Sequence, residues 1–515
     1  MTKYYKSVLL FLFFYFFSIF FYYLSSIDIF PLVHGPYYFS IAKSIFHYNS
    51  INYYSIYPPD ISMVYTLQIG ASVVQAISLF IFRDFWYLFF YLITAFGWLL
   101  VFRVLDEFKI NCLSCKDKLI LLIIFFFQPY NINQIANFSN EALYIPFLIY
   151  FFFIFYDFCF KYRSFFILSC LGFFLVIGIF FRIHHVIFCL SIFLFAIKEK
   201  KLKIIKLLIL CGMLQIIFFV FVSLNTNLEN AFFEHIKAFS KIFSDYFNAK
   251  TFEINSSSQT SISFYLMESN FFNILYKLSI ILSSPIFATK FISNKLIILL
   301  VNFTFIIFII YGLFLFKKED NKFVIFSSIY LILSVLFLLF LPIFEYSYAL
   351  PFSFLLYFYL YIAAKKILGV IFYRVLTFSI ILFSTLILVY YSGVARSSNI
   401  EIYGNREQVR NIKQIFKTYK PTENVFYAHK SLLHHIEDYY WNKDLKPYCS
   451  TSVTINKCKQ IQNIDKYENI IIISKNKSDG KKRMTKKEII DFEKKNRIRY
   501  VQNVEKKSFA IYIFK

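Results

Sequence analysis

Apolar residues run through the first 392 positions in long blocks, not in alternation. Stretches of about 17–25 residues with few or no charges recur, each long enough as a helix to cross a hydrocarbon core roughly 30 Å thick. Every-second-residue alternation of the barrel type is missing, so the pattern predicts membrane-spanning helices, which satisfy their own backbones in lipid. Candidate spans are 7–24, 62–82, 85–102, 118–138, 141–160, 165–181, 184–197, 207–224, 296–316, 323–341, 348–364 and 370–392. Lys3 and Lys6 precede the first, and Ser25-Ser26 makes a poor cleavage site; it reads as a retained anchor and not as a removed signal.

The polar breaks carry the organisation. Lys161 with Arg163, the five lysines between Lys198 and Lys206, Lys317-Lys318 and Lys365-Lys366 mark short cytoplasmic loops by the positive-inside rule. Loops 25–61, 129–140, 225–295 and 342–347, and the turn Arg182–His185, then face outward, as does everything after residue 392. Twelve full crossings from a cytoplasmic start would leave the tail inside. One segment within 62–138 is therefore re-entrant or short, or a further crossing hides in 271–291. The first is preferred, because the second would export the five-lysine loop. The expected fold is a polytopic α-helical membrane protein with about 11–13 transmembrane helices.

After residue 392 the pattern changes. Short strand-like runs appear at Asn424–Ala428, Asn469–Ser474, Arg499–Gln502 and Phe509–Phe514, separated by charged helical stretches such as 404–419 and 484–496. Strands alternating with helices predict a C-terminal soluble α/β domain over 393–515, next to a transmembrane domain over 1–392. That tail holds 20 Lys and 6 Arg against 13 acidic residues, +13 of the chain's net +24. The basicity fits anionic lipid heads or acidic glycans, and equally a solvated surface. A long outer domain translocates largely regardless of charge. No nucleic-acid motif occurs, so no nucleic-acid partner is expected.

Composition agrees with the pattern. Hydrophobic residues make up 59% of the chain and charged ones 16%, where a soluble domain carries about 25%; mean hydropathy is +0.59. The 73 Phe residues go with the excess of Tyr, Ile, Asn and Lys that a low-GC genome produces. Cys159, Cys170, Cys189 and Cys211 fall within spans as packing residues. Cys112 and Cys115 form a lone C-x-x-C whose default reading is incidental. Cys449 and Cys458 close a short loop that an oxidising compartment would bond.

Five features follow one another along the chain. After one span comes an aromatic Tyr-x-x-Ile-Ala-Lys helix (Tyr38, Ile41, Ala42, Lys43), then Pro58-Pro59 entering the next span. A second outer loop ends in Ser139-Asn140-Glu141, an outward turn carries Phe180-Phe181-Arg182, and a late short loop holds Tyr346, Tyr348 and Pro351. In this order, and with a soluble tail, the chain resembles the GT-C superfamily of polytopic membrane glycosyltransferases, in its protein-mannosyltransferase-like and aminoarabinose-transferase-like branch. The resemblance implies transfer of a sugar from a polyprenyl-phosphate donor to a lipid, glycan or protein acceptor on the extracytoplasmic face of the cytoplasmic membrane. Such chemistry needs a carboxylate near the acceptor hydroxyl and a cation, or a divalent metal held by acidic groups, near the leaving phosphate.

The chain departs from that pattern where an acidic residue is expected some seven or eight positions before Ala42; His34 and Gly35 stand there. Asp28 or Asp60 folding back from the same loop, or His34 itself, would then serve, or the position is lost. Asp28 otherwise reads as a helix-exit cap and His34 as turn chemistry before Gly35-Pro36. Glu141 is a second candidate acid, and otherwise complements a helix N-terminus capped by Ser139 or Asn140. Arg182 and Lys43 are the phosphate candidates, with interfacial anchoring as their alternative; Tyr346 is a candidate substrate contact. His184 and His185 stand beside Arg182 without an assignable metal. The 225–295 loop, with its polar tract Asn255–Ser261, reads as a flap over an acceptor site or as an inert insertion.

Three other classes stay open. They are a polysaccharide polymerase or ligase, which would lack the α/β tail; a flippase or transporter, which would show internal repeats and charges deep in its helices; and a non-catalytic glycan-binding relative.

Overall fold

The computed structural model describes residues 3–25, 42, 45–46, 69–108, 113–136, 138–160, 165–182, 184–225, 261–263, 278, 281–282, 295–340, 343–375, 414, 418, 424–428, 469–475, 486–496, 499–505 and 509–515. The chain divides into two compact units, Met1–Tyr22 with Leu67–Val389, and Tyr23–Thr66 with Tyr390–Lys515.

The first unit is helical: α1 (Lys3–Ser25), α2 (Gly70–Phe82), α3 (Trp86–Glu107), α4 (Cys115–Phe126), α5 (Pro129–Ala136), α6 (Asn140–Phe160), α7 (Phe165–Ile177), α8 (His185–Lys198), α9 (Leu202–Asn225), α10 (Lys295–Lys317), α11 (Asn321–Phe340) and α12 (Leu350–Leu368). Five of the described helices (α1, α3, α6, α11 and α12) are long and apolar enough to cross a membrane, and α2, α7, α8 and α10 contribute shorter apolar stretches. This is a helical membrane protein.

Helices α6 and α12 form the interior. α6 packs on α3, α5 and α12, and α12 on α4, α6, α10 and α11. In their most apolar windows 83% of α6 and 72% of α12 is buried, against 28% of α1. A helix that is apolar all round is what such a central place requires. Phe152 of α6 shows how it is filled, meeting Phe188, Phe323, Phe326, Tyr330 and Phe354 from three other helices.

Lipid tails are as apolar as leucine, so helices associate there by close packing, and small residues set the approach. Gly312 lies so near the Tyr359 backbone that a Cβ would collide with its carbonyl. Gly312→Ala is expected to cost about 1–3 kcal/mol by overpacking and to lower the unfolding midpoint in detergent. Gly212, where a Cβ would meet nothing, is the control, and Gly212→Ala should be neutral or mildly stabilising.

One expected span is not a single helix. Within 118–138, α4 stops at Phe126 after 12 residues, Phe127 and Gln128 break the chain, and an eight-residue α5 begins at Pro129. Proline at the first helical position starts a helix and disfavours continuing the preceding one. Twelve residues rise about 18 Å, too little to cross alone, and α2 in the same window is nearly as short at 13 residues. The expected span 370–392 is described only to residue 375, and the anticipated crossing in 271–291 lies almost wholly outside the described residues.

The described lysine-rich turns collect at one end. Asp117 meets Lys365, Tyr156 donates to Asp320, and Lys322 pairs with Glu199. The turns at 138–141, 182–184 and 346–349 lie at the opposite ends of α6 and α12. Near them a two-stranded antiparallel ladder pairs β1 (Ser261–Ser263) with β2 (Ile343–Glu345), tying the long insertion to the late loop.

In the second unit, β3 (Asn424–Ala428), β4 (Asn469–Lys475), β5 (Tyr500–Glu505) and β6 (Phe509–Phe514) make one sheet ordered β3-β4-β6-β5. β3 and β4 are parallel and the other pairs antiparallel. Helix α13 (Lys486–Asn496) lays Phe492 against Phe514, 5.1 Å between ring centroids. Ile471, Tyr512, Ile513 and Phe514 are buried. Most of the expected helix 404–419, and Cys449 and Cys458, lie outside the described residues.

Candidate functional site

The turn before α6 is built by its neighbours. Phe138 takes a left-handed φ of 51°, costly for a residue with a Cβ. It is held there by the rings of Tyr22, Trp86, Phe90 and Tyr91. Its carbonyl accepts from Gln75 Nε2 at 3.1 Å, and Tyr91 donates to the Ile135 carbonyl. Ser139 Oγ accepts the Ala142 N–H and so caps α6. Asn140 Oδ1 accepts the Ala71 N–H at 2.6 Å, satisfying an orphan donor at the start of α2. The capping expected of Ser139 or Asn140 is thus real, and it divides between two helices. Glu141 follows in the first turn of α6, 5% exposed.

Arg182 comes from the other side. The 3-10 turn Gly178–Phe180 ends α7, and the Arg182 N–H donates to the Gly178 carbonyl at 3.0 Å. Gly178 is needed there because the His185 ring fills the space where a Cβ would stand. The turn delivers Arg182, also 5% exposed, to Glu141, and guanidinium and carboxylate form a direct buried ion pair. The guanidinium carbon lies 5.2 Å from the Tyr348 ring centroid, a cation–π contact.

The two histidines of this turn differ. His185 is fully buried and satisfied: Nδ1 lies 3.1 Å from Tyr144 Oη, and Nε2 lies 3.2 Å from the Leu175 carbonyl. His184 is 3% exposed, and neither ring nitrogen has a hydrogen-bond partner among the described residues. Its ring stands between Phe337, at 5.0 Å, and Tyr348, at 5.7 Å. Tyr348 therefore touches both Arg182 and His184.

Of the residues singled out in the sequence, the structure brings together Glu141 and Arg182, 41 positions apart. Tyr346 lies in the 3-10 turn Tyr346–Ala349 with only its backbone described; Tyr348, two positions on, has its ring over Arg182. Asp28, His34, Lys43 and Asp60 lie outside the described residues; of that loop's helix, Ala42 is buried. Cys115 is the first residue of α4 and exposed. No group of three or more His, Cys, Asp or Glu side chains able to hold a metal lies among the described residues.

A second polar cluster, unforeseen in the sequence, sits at the lysine-rich end. Asp117, fully buried, accepts from Ser114 Oγ at 2.6 Å, Tyr361 Oη at 2.6 Å, Tyr373 Oη at 2.8 Å and Lys365 Nζ at 2.7 Å. Burial works to raise its pKa, but the hydrogen bonds from Lys365, Ser114, Tyr361 and Tyr373 outweigh it and hold the carboxyl well below the usual carboxylate range. With the Ser114 N–H, which also donates at 2.7 Å, five donors make this a clasp, with no carboxylate oxygen left for chemistry.

The chain matches no protein-family model, and no curated protein is similar to it.

Proposed function

We propose that this protein is a membrane glycosyltransferase of GT-C type. In this reading it moves a sugar from a polyprenyl-phosphate donor to a lipid, glycan or protein acceptor on the extracytoplasmic face of the cytoplasmic membrane. The observation that carries the reading is the buried Glu141–Arg182 pair at the end of the bundle away from the lysine-rich turns. It puts a carboxylate and a guanidinium, the two groups the reaction needs, side by side where a lipid-anchored head group would arrive. The N-terminus is then cytoplasmic and the sheet-bearing tail is a soluble α/β domain outside, where its basic surface meets glycan or anionic lipid.

The chemistry follows from charge. The acceptor oxygen bonds to the anomeric carbon as the carbon–oxygen bond to the donor phosphate breaks. The bonding pair leaves with the polyprenyl phosphate, whose charge Arg182 meets with a planar fork suited to phosphate oxygens. The hydroxyl proton goes to a carboxylate, either Glu141 or Asp28, with His34 as the other base of the first outer loop.

Membranes supplied with radiolabelled polyprenyl-phosphate sugars test this. Wild type is expected to transfer label, and Glu141→Gln to lose about 10²–10⁴-fold, the range of a general base, at unchanged protein level. Parallel loss in Asp28→Asn would assign the base to the first loop. No transfer from a broad donor panel would sink the reading.

A further inference from the structure

We propose that Arg182 and His184 together receive the donor phosphate, and that its arrival displaces Glu141 from Arg182 and so releases the carboxylate to act as base. The inference rests on the glycosyl-transfer reading above and adds an order of events to it.

The starting observation is His184. A buried imidazole with neither nitrogen bonded among the described residues is costly, and such a group in a native structure calls for an explanation, a bound ligand among them. The contrast with His185, equally buried one position on and bonded at both nitrogens, shows that this turn can satisfy a histidine. The unsatisfied one shares a wall, Tyr348, with the Arg182 guanidinium. In its neutral form it offers one N–H donor beside a planar cation. The complementary ligand is an anion with several acceptor oxygens, able to reach both groups at once. A phosphate does this, whereas the Glu141 carboxylate occupies Arg182 while neither His184 nitrogen is bonded among the described residues.

Charge dictates the exchange. Glu141 and Arg182 are neutral as a pair. A phosphate added beside them would set two anions together where water does not screen them, and that repulsion is strong. Taking Glu141's place on Arg182 avoids it and leaves Glu141 as the buried group without a counter-charge. Accepting the proton that the acceptor hydroxyl must lose relieves that state. In the resting enzyme the carboxylate is occupied, and it becomes available only with donor in place.

The test is binding, not turnover. A short-chain polyprenyl monophosphate is titrated onto the full-length protein in detergent, with the matching polyprenyl alcohol and inorganic phosphate as separate arms. Wild type should bind the monophosphate at least about tenfold more tightly than the alcohol, the worth of charge-assisted hydrogen bonds. Glu141→Gln should bind it more tightly still, by about tenfold, since the competing carboxylate is gone. His184→Phe should weaken it by a similar factor, with His184→Asn, which keeps an N–H donor, in between. The same variant order with inorganic phosphate would place recognition in the phosphate alone; its absence there, with the order kept for the lipid, would require the lipid-borne group.

Folding is controlled by thermal unfolding. Glu141→Gln leaves Arg182 without its carboxylate, so the monophosphate should raise its unfolding temperature by more than it raises wild type's. Equal shifts, equal affinity for alcohol and phosphate, or no tightening in Glu141→Gln each overturn the proposal. Phosphate binding in the expected order with no sugar transfer from any donor would defeat the transferase reading alone. Transfer with binding indifferent to Glu141 and His184 would defeat this inference alone.

Discussion

The double variant Glu141→Leu/Arg182→Leu is expected to unfold later than Arg182→Leu and to transfer no sugar. Arg182→Leu strands the Glu141 carboxylate at 5% exposure with its cation gone, and breaking a buried pair from one side typically costs about 3–5 kcal/mol. Glu141→Leu takes the carboxylate from the guanidinium instead, but the Tyr348 face beneath it returns about 1–2 kcal/mol of that loss. Replacing both removes the desolvated charges together, a change that is often neutral or stabilising. The cycle should therefore show a coupling of roughly 3 kcal/mol, well above the scatter of additivity between independent sites. Activity behaves oppositely. With neither proton acceptor nor phosphate clamp, transfer should fall at least about 10⁴-fold. Unfolding of the four proteins in detergent, set against transfer in membranes, separates the two roles. Recovery of activity along with stability in the double variant would reduce the pair to a clip between α6 and the α7–α8 turn.

That pair was half legible in the sequence. Glu141 and Arg182 each stood out as a charge at the mouth of an apolar run, where lipid makes an unexplained charge expensive. Their pairing was not legible, because nothing in two apolar helices sets their relative rotation until they pack. The same limit applies to Tyr348: a short loop can be placed at one end of a bundle from its flanks, but the turn that sets this ring over Arg182 forms only once the helices pack. The break inside 118–138 was visible in Gln128-Pro129, yet it was outweighed by the apolar run on either side. His184 and His185 look alike in sequence. Only the position of Tyr144, 41 residues earlier than His185, tells the satisfied one from the other.

Asp117 went unnoticed for a similar reason, although Ser114-x-x-Asp117 ahead of an apolar run is a capping-box pattern, and Tyr361 and Lys365 lie one helical turn apart on α12. Its removal is the second large effect expected. Asp117→Ala should cost about 3–5 kcal/mol, because it leaves the Tyr361 hydroxyl buried without its acceptor and unties α4 from α12. Lys365→Met should cost less, since Ser114, Tyr361 and Tyr373 still hold the carboxylate. The clasp also has a pH signature. A carboxyl whose pKa is depressed on folding contributes fully above its unfolded value, about 3.9, and loses that contribution as pH falls toward the folded one. Wild-type stability in detergent should therefore drop more steeply below about pH 4 than that of Asp117→Asn, with the gap between the two closing as acid protonates the wild-type carboxyl. Parallel curves from pH 7 to pH 3 would show that Asp117 is not the charged centre of the clasp, and that the bundle's lysine-rich end is held by packing alone.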